Sequence, residues 1–171
     1  MAAILLLSAG VGYLVFTTIN STSHAAASRP DNWIRKSTDT TAQYVGNNIY
    51  NTTGTNQTKT RNGYRGNTLI FYVKIQNDGS VSDKFYVKGT GSNSGFTAKY
   101  YKYDSTNITS AVIAGTYKTA LISPGGSVVL KVKITITSTA SHGSSRYHNV
   151  TSTSYNDSTK KDLVRAKVYV Y

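Results

Sequence analysis

Apolar and polar residues alternate along much of this chain, a pattern typical of strands that bury one face. In the segment TLIFYVKIQ, residues 68 to 76, an apolar side chain occupies every second position. The segments SVVLKVKITIT, residues 127 to 137, and DLVRAKVYVY, residues 162 to 171, repeat the alternation. We therefore predict three long, half-buried antiparallel strands in these segments.

Shorter strands are predicted between these segments. They are FYVKG at 85 to 89, FTAKYYKY at 96 to 103, the stretch from ITSAVIAG to TYKTALI at 108 to 122, and RYHNVTSTS at 146 to 154. Glycine-rich turn signals separate them, and Asp78-Gly79 directly after an alternating segment indicates a hairpin. Seven or more short strands with this spacing predict an antiparallel β-sandwich over residues 31 to 171.

The first 22 residues have a different character, because no Lys, Arg or Asp occurs before Arg29. We predict a hydrophobic α-helix over residues 1 to 22 and a linker over residues 23 to 30. Residues 2 to 16 would span about 22 Å as a helix, which is short for a bilayer. The residues expected to pack against copies of the same helix are Ile4, Leu5, Leu6, Leu7, Ser8, Val11, Gly12, Leu14, Val15 and Phe16.

A signal peptide and a membrane anchor are the other two interpretations of this segment. A signal peptide normally opens with a basic residue, which is missing here, although STSHAAAS offers a cleavage site near Ser23 to Ala25. Outside lipid, so much exposed apolar area would cause aggregation unless copies cover one another. We therefore expect contact with a membrane before assembly, and self-association into a homopolymer afterwards.

Composition supports strands and turns after the first segment. The chain has 24 Thr, 20 Ser, 14 Tyr and 14 Gly, and it has no Glu, which is a strong helix former. It has no Cys either, so neither a disulfide framework nor a thiolate metal site can hold the fold.

A search for catalytic chemistry finds little. The three histidines, His24, His142 and His148, lack the spacing of metal ligands, and no nucleophile elbow, P-loop or dinucleotide fingerprint occurs. Asp78 and Asp83 are the closest acidic pair that could share a loop, and turn capping explains both better than a calcium site. We predict a protein that is not an enzyme, with no catalytic residue, no metal and no cofactor.

The formal net charge of +12 comes entirely from residues after position 28. Several cations fall on predicted outward faces beside Tyr72, Tyr86 and Tyr169, and such mixed surfaces can bind polyanions. The partners considered are anionic polysaccharide, cell surfaces and nucleic acid. The alternative is that these cations only keep the sheets soluble and protect their edges. The predicted polyanion contacts are Lys74, Lys84, Lys88, Lys131, Lys133, Arg165 and Lys167.

Six Asn-x-Ser/Thr triplets predict a glycoprotein, if the host has the machinery. They begin at Asn20, Asn51, Asn56, Asn107, Asn149 and Asn156.

The runs TLIFYVKIQNDGSVSDKFYVKG, SPGGSVVLKVKI and DLVRAKVYVY together resemble the immunoglobulin-like domains of prokaryotic surface and exported proteins. Those domains share an alternating strand that ends in Asn-x-Gly and a Pro-Gly turn before a long alternating strand. The resemblance covers residues 31 to 171. It implies an extracellular β-sandwich and brings no catalytic residues with it.

The layout of an apolar helix before a β-rich domain resembles type IV pilins and archaeal flagellins. The match covers residues 1 to about 25, and Leu5 occupies the position at which bacterial type IV pilins carry Glu. The resemblance implies a structural subunit of an extracellular, cell-surface filament that displays the sandwich for adhesion.

Two alternatives stay open. One is a secreted or membrane-anchored monomer that binds carbohydrate or matrix. The other is a filament built by strand donation between sandwiches, which would use the extended region from 26 to 50.

Overall fold

The computed structural model describes residues 27–171, which form two β-sheets packed face to face. The elements in chain order are β1 (Pro30–Lys36), a 3₁₀ turn (Thr41–Gln43), β2 (Thr58–Gly63), β3 (Thr68–Asn77), β4 (Phe85–Gly89), β5 (Phe96–Lys102), α1 (Thr109–Ala114), β6 (Tyr117–Lys118), β7 (Ser127–Ile136), β8 (Ser145–Ser154) and β9 (Lys161–Val170).

Sheet A has the strand order β1-β3-β7-β5 and is antiparallel throughout. Sheet B has the order β2-β9-β8-β4-β6, in which β2 pairs with β9 in parallel and the other pairs are antiparallel. The prediction of a mainly β domain is confirmed. The three long predicted strands correspond to β3, β7 and β9.

The core lies between the two sheets and is filled by the inner positions of the alternating strands. Phe71 and Val73 of β3, Val132 of β7 and Val168 of β9 are completely buried. Each such side chain contributes about 1.5 to 3 kcal/mol when it is removed from water. The other face of each strand is left for polar and aromatic residues, which determines the character of both outer surfaces.

A buried carboxylate ties the first strands to sheet B. Asp162 of β9 accepts hydrogen bonds from the backbone N–H groups of Asn32 (2.6 Å) and Asn51 (3.1 Å), and from Nε2 of Gln57 (2.9 Å). Burial nevertheless raises the pKa of Asp162, and these hydrogen bonds oppose the rise. The contacts fix β1 over sheet B, and thereby fix the position of the outer face of sheet A.

Two local predictions are wrong. Residues 109 to 114 form the helix α1 instead of a strand, and the helix ends at Gly115, which adopts the left-handed conformation with φ 75°. Asp78-Gly79 does not close a hairpin, because β3 lies in sheet A and the following strand β4 lies in sheet B. The turn therefore carries the chain from one sheet to the other.

The resemblance to type IV pilins and archaeal flagellins is wrong. Residues 27–171 form a mostly β structure whose one α-helix has six residues. In this part of the chain, no helix has the length and apolar character that crossing a membrane would need. The predicted assembly helix over residues 1 to 22 lies outside the described residues, so self-association through it stays a prediction.

Part of the segment considered for strand donation pairs within its own chain. Residues Pro30–Lys36 form β1, an edge strand that pairs with β3 over seven positions. On its free side, the backbone of Ile34 exchanges two hydrogen bonds with that of Val45. Strand donation between copies stays a prediction.

Candidate functional site

The outer face of sheet A carries a layer of aromatic and basic side chains, which we call the aromatic face. Alternate residues of β1, β3, β5 and β7 point outward, and the loop after β1 adds one more ring. The aromatic face consists of Trp33, Arg35, Tyr44, Tyr72, Lys74, Lys99, Tyr101, Lys131 and Lys133.

One row of this face alternates cations and rings across all four strands. Arg35 lies opposite Tyr72, and Lys131 lies between Tyr72 and Tyr101. The Arg35 guanidinium is 4.4 Å from the centroid of the Tyr72 ring, and Lys131 Nζ is 5.8 Å from that of Tyr101. Cation–π attraction at these distances orients the cations without neutralising them.

A second row is built around Trp33, the one tryptophan in the chain. Lys74 lies opposite it, with Nζ 2.9 Å from the ring centroid, and Tyr44 meets its edge at 6.2 Å. Burial lowers the pKa of Lys74, while the nearby carboxylates Asp31 and Asp78 oppose this shift.

A hydrogen bond to Asp31 fixes the position of the Trp33 indole. Its Oδ2 accepts hydrogen bonds from Nε1 of Trp33 (2.6 Å) and from the backbone N–H of Asn48 (3.1 Å). Its Oδ1 is buried and has no hydrogen-bond partner in the described part of the chain. Burial raises the pKa of Asp31 to about 6, although both hydrogen bonds act in the opposite direction.

The charges of the aromatic face have few acidic partners. Among residues 27–171, ion pairs join Asp39 to Lys36 (3.3 Å) and to Lys59 (3.1 Å), and neither pair includes a cation of the face. A surface with unpaired cations and flat rings concentrates anions at its surface.

The structure divides the predicted polyanion contacts between two surfaces. Lys74, Lys131 and Lys133 belong to the aromatic face. The remaining four lie on or beside the outer face of sheet B: Lys84 directly before β4, Lys88 in β4, and Arg165 and Lys167 in β9. On sheet B, Arg165 and Lys167 lie 5.1 and 5.4 Å from the ring of Tyr147.

The sequence prediction missed five members of the aromatic face: Trp33, Arg35, Tyr44, Lys99 and Tyr101. The alternation of β1 is hidden, because the inward side chain of Asn32 is polar and buried. That position is explained by a tertiary contact, since Nδ2 of Asn32 donates to the carbonyl of Asp162 at 2.9 Å. In β5, the outward pattern of Thr97, Lys99 and Tyr101 was a readable signal.

The six predicted glycosylation sites fall in different environments. Asn56, Asn107 and Asn156 are exposed in loops, whereas Asn149 is half-buried in β8. Asn51 is also half-buried, and its side chain bonds within the turn that follows it. Asn20 lies outside the described residues. Glycosylation stays a prediction for all six.

The residues considered for catalysis or metal binding do not converge. Asp78 accepts hydrogen bonds from Tyr50 and Gln76, whereas Asp83 is buried and bonds Ser154 of β8. Within residues 27–171, no three histidine, cysteine or acidic side chains gather at one point where a metal could bind.

The histidines that were considered also lie apart. His142 is exposed in a loop, and His24 lies outside the described residues. His148 is buried in the core, where burial lowers its pKa to about 4.

Comparison with known proteins finds no family model and no curated protein that matches this chain. Similar solved structures include the secreted serine protease VesC from Vibrio cholerae, with 12% identity over 67% of this chain and 22% of that chain, at a TM-score of 0.43. A family 123 glycoside hydrolase from Clostridium perfringens has 10% identity over 67% of this chain and 23% of that chain, at a TM-score of 0.45.

The PapD-like domain 7 of human CEP192 is 13% identical and covers 96% of this chain and 95% of that domain, at a TM-score of 0.37. This chain spans less than a quarter of the length of the protease and of the glycoside hydrolase. These distant likenesses carry no argument about activity.

Proposed function

We propose that this chain is an extracellular, non-enzymatic binding module that holds acidic polysaccharide on its aromatic face. The observation that carries the proposal is the row from Arg35 through Tyr72 and Lys131 to Tyr101, in which cations and rings alternate across four strands.

The width of the face favours a polymer over a small molecule. Four strands at a spacing of about 4.8 Å give a row roughly 14 Å across, which is long enough for several sugar units. The rings offer flat apolar area, and the cations between them can meet acidic groups that repeat along a polymer. Because each contact is weak and several form together, the affinity depends on multivalency.

We also propose that the fold is immunoglobulin-like. The order β1-β3-β7-β5 corresponds to the A-B-E-D sheet of constant-type immunoglobulin domains, and β4-β8-β9 corresponds to C-F-G. This correspondence supports the family resemblance of residues 31 to 171. An extracellular location rests on that resemblance and on the hydrophobic start of the chain.

The experiment compares two charge-matched double variants. K74Q/K131Q removes two cations from the aromatic face, and K88Q/K167Q removes two from the outer face of sheet B. Binding to acidic polysaccharides is measured by calorimetry from low to moderate salt. We expect K74Q/K131Q to weaken binding about ten-fold or more and to flatten the salt dependence, because fewer counterions are released.

The control K88Q/K167Q changes the net charge equally, but it should stay within about two-fold of wild type, because both lysines lie on sheet B and away from the aromatic face. Equal losses in both double variants would show that only net charge matters and would refute a site on the aromatic face. Tighter binding to single-stranded nucleic acid than to any polysaccharide would also overturn the proposal, since stacking on rings serves that ligand too.

A further inference from the structure

A shallow groove of about 400 Å³ lies where β3, β7 and β5 meet on the aromatic face. Its lining consists of Thr68, Thr97, Lys99, Tyr101, Lys133 and Thr135. Three threonines form a row across the strands, because Thr135 lies opposite both Thr68 and Thr97. The hydroxyls of Thr68 and Thr135 are 2.8 Å apart and bond each other.

Two lysines stand directly opposite each other beside this row. Lys99 of β5 and Lys133 of β7 are register partners in an antiparallel pair and share the outer face. Side chains in such a pair start about 5 Å apart, and like charges placed there repel each other. Neither lysine belongs to an ion pair within residues 27–171. An anion between the two ammonium groups would relieve the repulsion.

The groups around the groove provide donors from several directions. The Lys99–Lys133 pair lies next to the Thr97–Thr135 pair on the same outer face, and Lys133 Nζ is 5.1 Å from the centroid of the Tyr101 ring. Donors that converge from different sides suit a tetrahedral oxyanion, whose oxygens point in several directions. A planar carboxylate is better matched by the flat fork of an arginine, which this groove lacks.

We infer that the groove is a subsite for a tetrahedral oxyanion ester, a sulfate or a phosphate, carried by the bound polysaccharide. Lys99 and Lys133 hold the charge, and the hydroxyls of Thr97 and Thr135 bond its oxygens. The inference rests on the proposed function, and it adds selectivity for sulfated or phosphorylated over carboxylated polymers.

The test uses three polymers with one backbone and matched substitution: dextran sulfate, carboxymethyl dextran and phosphorylated dextran. Wild-type protein is expected to bind dextran sulfate and phosphorylated dextran at least about five-fold more tightly than carboxymethyl dextran, because a tetrahedral ester fits the donors better than a planar carboxylate. The ratio of the first two affinities distinguishes a sulfate from a phosphate ester. K99Q/K133Q should weaken binding to all three polymers, because two cations of the face are lost, and should also abolish the preference, so the loss is at least about five-fold larger for dextran sulfate than for carboxymethyl dextran.

A second variant separates hydroxyl donors from charge. T135V keeps both lysines and the shape of the side chain, and should cut the preference for dextran sulfate about three-fold without changing binding to carboxymethyl dextran. The double variant K84Q/K88Q, in and beside β4, is the charge-matched control and should keep the preference. Unchanged thermal unfolding would establish that each variant is folded.

The outcomes separate this inference from the proposed function. If wild-type protein binds none of the three polymers, the proposed function is wrong. If it binds all three equally, or prefers carboxymethyl dextran, the tetrahedral subsite is refuted while the polymer site stands. An equal loss of affinity for all three polymers in K99Q/K133Q would show that the two lysines act only through their positive charge, and would also refute the subsite.

Discussion

Asp31 contributes both to the aromatic face, through Trp33, and to the stability of the fold. Its carboxylate is completely buried and holds the indole N–H of Trp33, yet one of its oxygens has no partner among residues 27–171. Its pKa of about 6 lies above the ordinary value of 3.8. As the pH falls, Asp31 in the folded protein therefore takes up its proton near pH 6, before the unfolded chain does so near 3.8, and stability from this group increases as the pH falls.

Replacing Asp31 with Asn removes the buried charge and keeps an acceptor for Trp33. We expect D31N to raise the free energy of unfolding at pH 7.5 by about 1 to 2 kcal/mol, because the charged form no longer has to be buried. The gain should disappear towards pH 4, where Asp31 is already protonated. Urea unfolding at several pH values measures this.

The matched control is D104N. Asp104 is fully exposed, and hydrogen bonds from Thr106 lower the pKa of its carboxyl. D104N should therefore give no gain at pH 7.5. A similar gain in both variants would show that net charge, and not the burial of Asp31, governs the effect.

At the scale of elements, one close contact joins β4 of sheet B to β5 of sheet A. The Tyr100 ring of β5 packs on the backbone of Gly89 at the end of β4, and its hydroxyl donates to the carbonyl of Thr90 at 2.8 Å. A Cβ atom at Gly89 would lie 2.5 Å from Cζ of Tyr100. The absence of a side chain at Gly89 therefore makes room for a buried tyrosine.

The variant G89A should lower the free energy of unfolding by about 1 to 3 kcal/mol, because the ring must move and its hydrogen bond is strained or lost. Chemical denaturation measures the change. G91A is the control, since a Cβ there would meet Ile113 only at ordinary contact distance, 3.5 Å. If G91A proves as destabilising as G89A, the cause is the loss of glycine and not the packing of Tyr100.

Alternation of apolar residues was enough to predict the long strands, because a half-buried strand leaves its period in the sequence. It failed at α1, because Val112 and Ile113 favour strands. The contacts of α1 with β4 and with β5, and the turn at Gly115, stabilise a helix there instead. It also failed at β1, whose inward Asn32 is polar because it meets Asp162 from 130 positions away. The aromatic face was therefore only half predicted, since its Trp33 row depends on that strand.

At the scale of the whole molecule, two buried titratable groups, Asp31 and His148, change the stability of the fold in opposite directions as the pH falls. His148 lies in the core against Phe96, at a centroid distance of 5.8 Å, and its ring nitrogens have no hydrogen-bond partner within residues 27–171. Its pKa of about 4 lies below the ordinary 6.5, so its contribution to stability is lost as the pH falls below 6.5. The contribution of Asp31 to stability rises over nearly the same pH range. The combined contribution of the two groups therefore changes less with pH than the contribution of either group alone.

The variant H148L fills the same space without a titratable group. We expect its stability at pH 7 to equal or exceed that of wild type, because no unpaired nitrogen is buried, and its loss of stability between pH 6.5 and 4 to shrink by about 1 to 3 kcal/mol. Thermal unfolding across this range measures both. H142L, at the exposed histidine, should follow the wild-type curve, and an unchanged acid response in H148L would exclude His148 as its source.

The position of Trp33 has a consequence for observing this protein. As the single indole, with an ammonium nitrogen 2.9 Å from its ring centroid and a buried carboxylate on its N–H, it is a built-in fluorophore on the aromatic face. An anion that draws Lys74 away should alter its emission directly, without any label. The same emission should titrate near pH 6 as Asp31 takes up its proton, so one spectrum reports both occupancy and protonation.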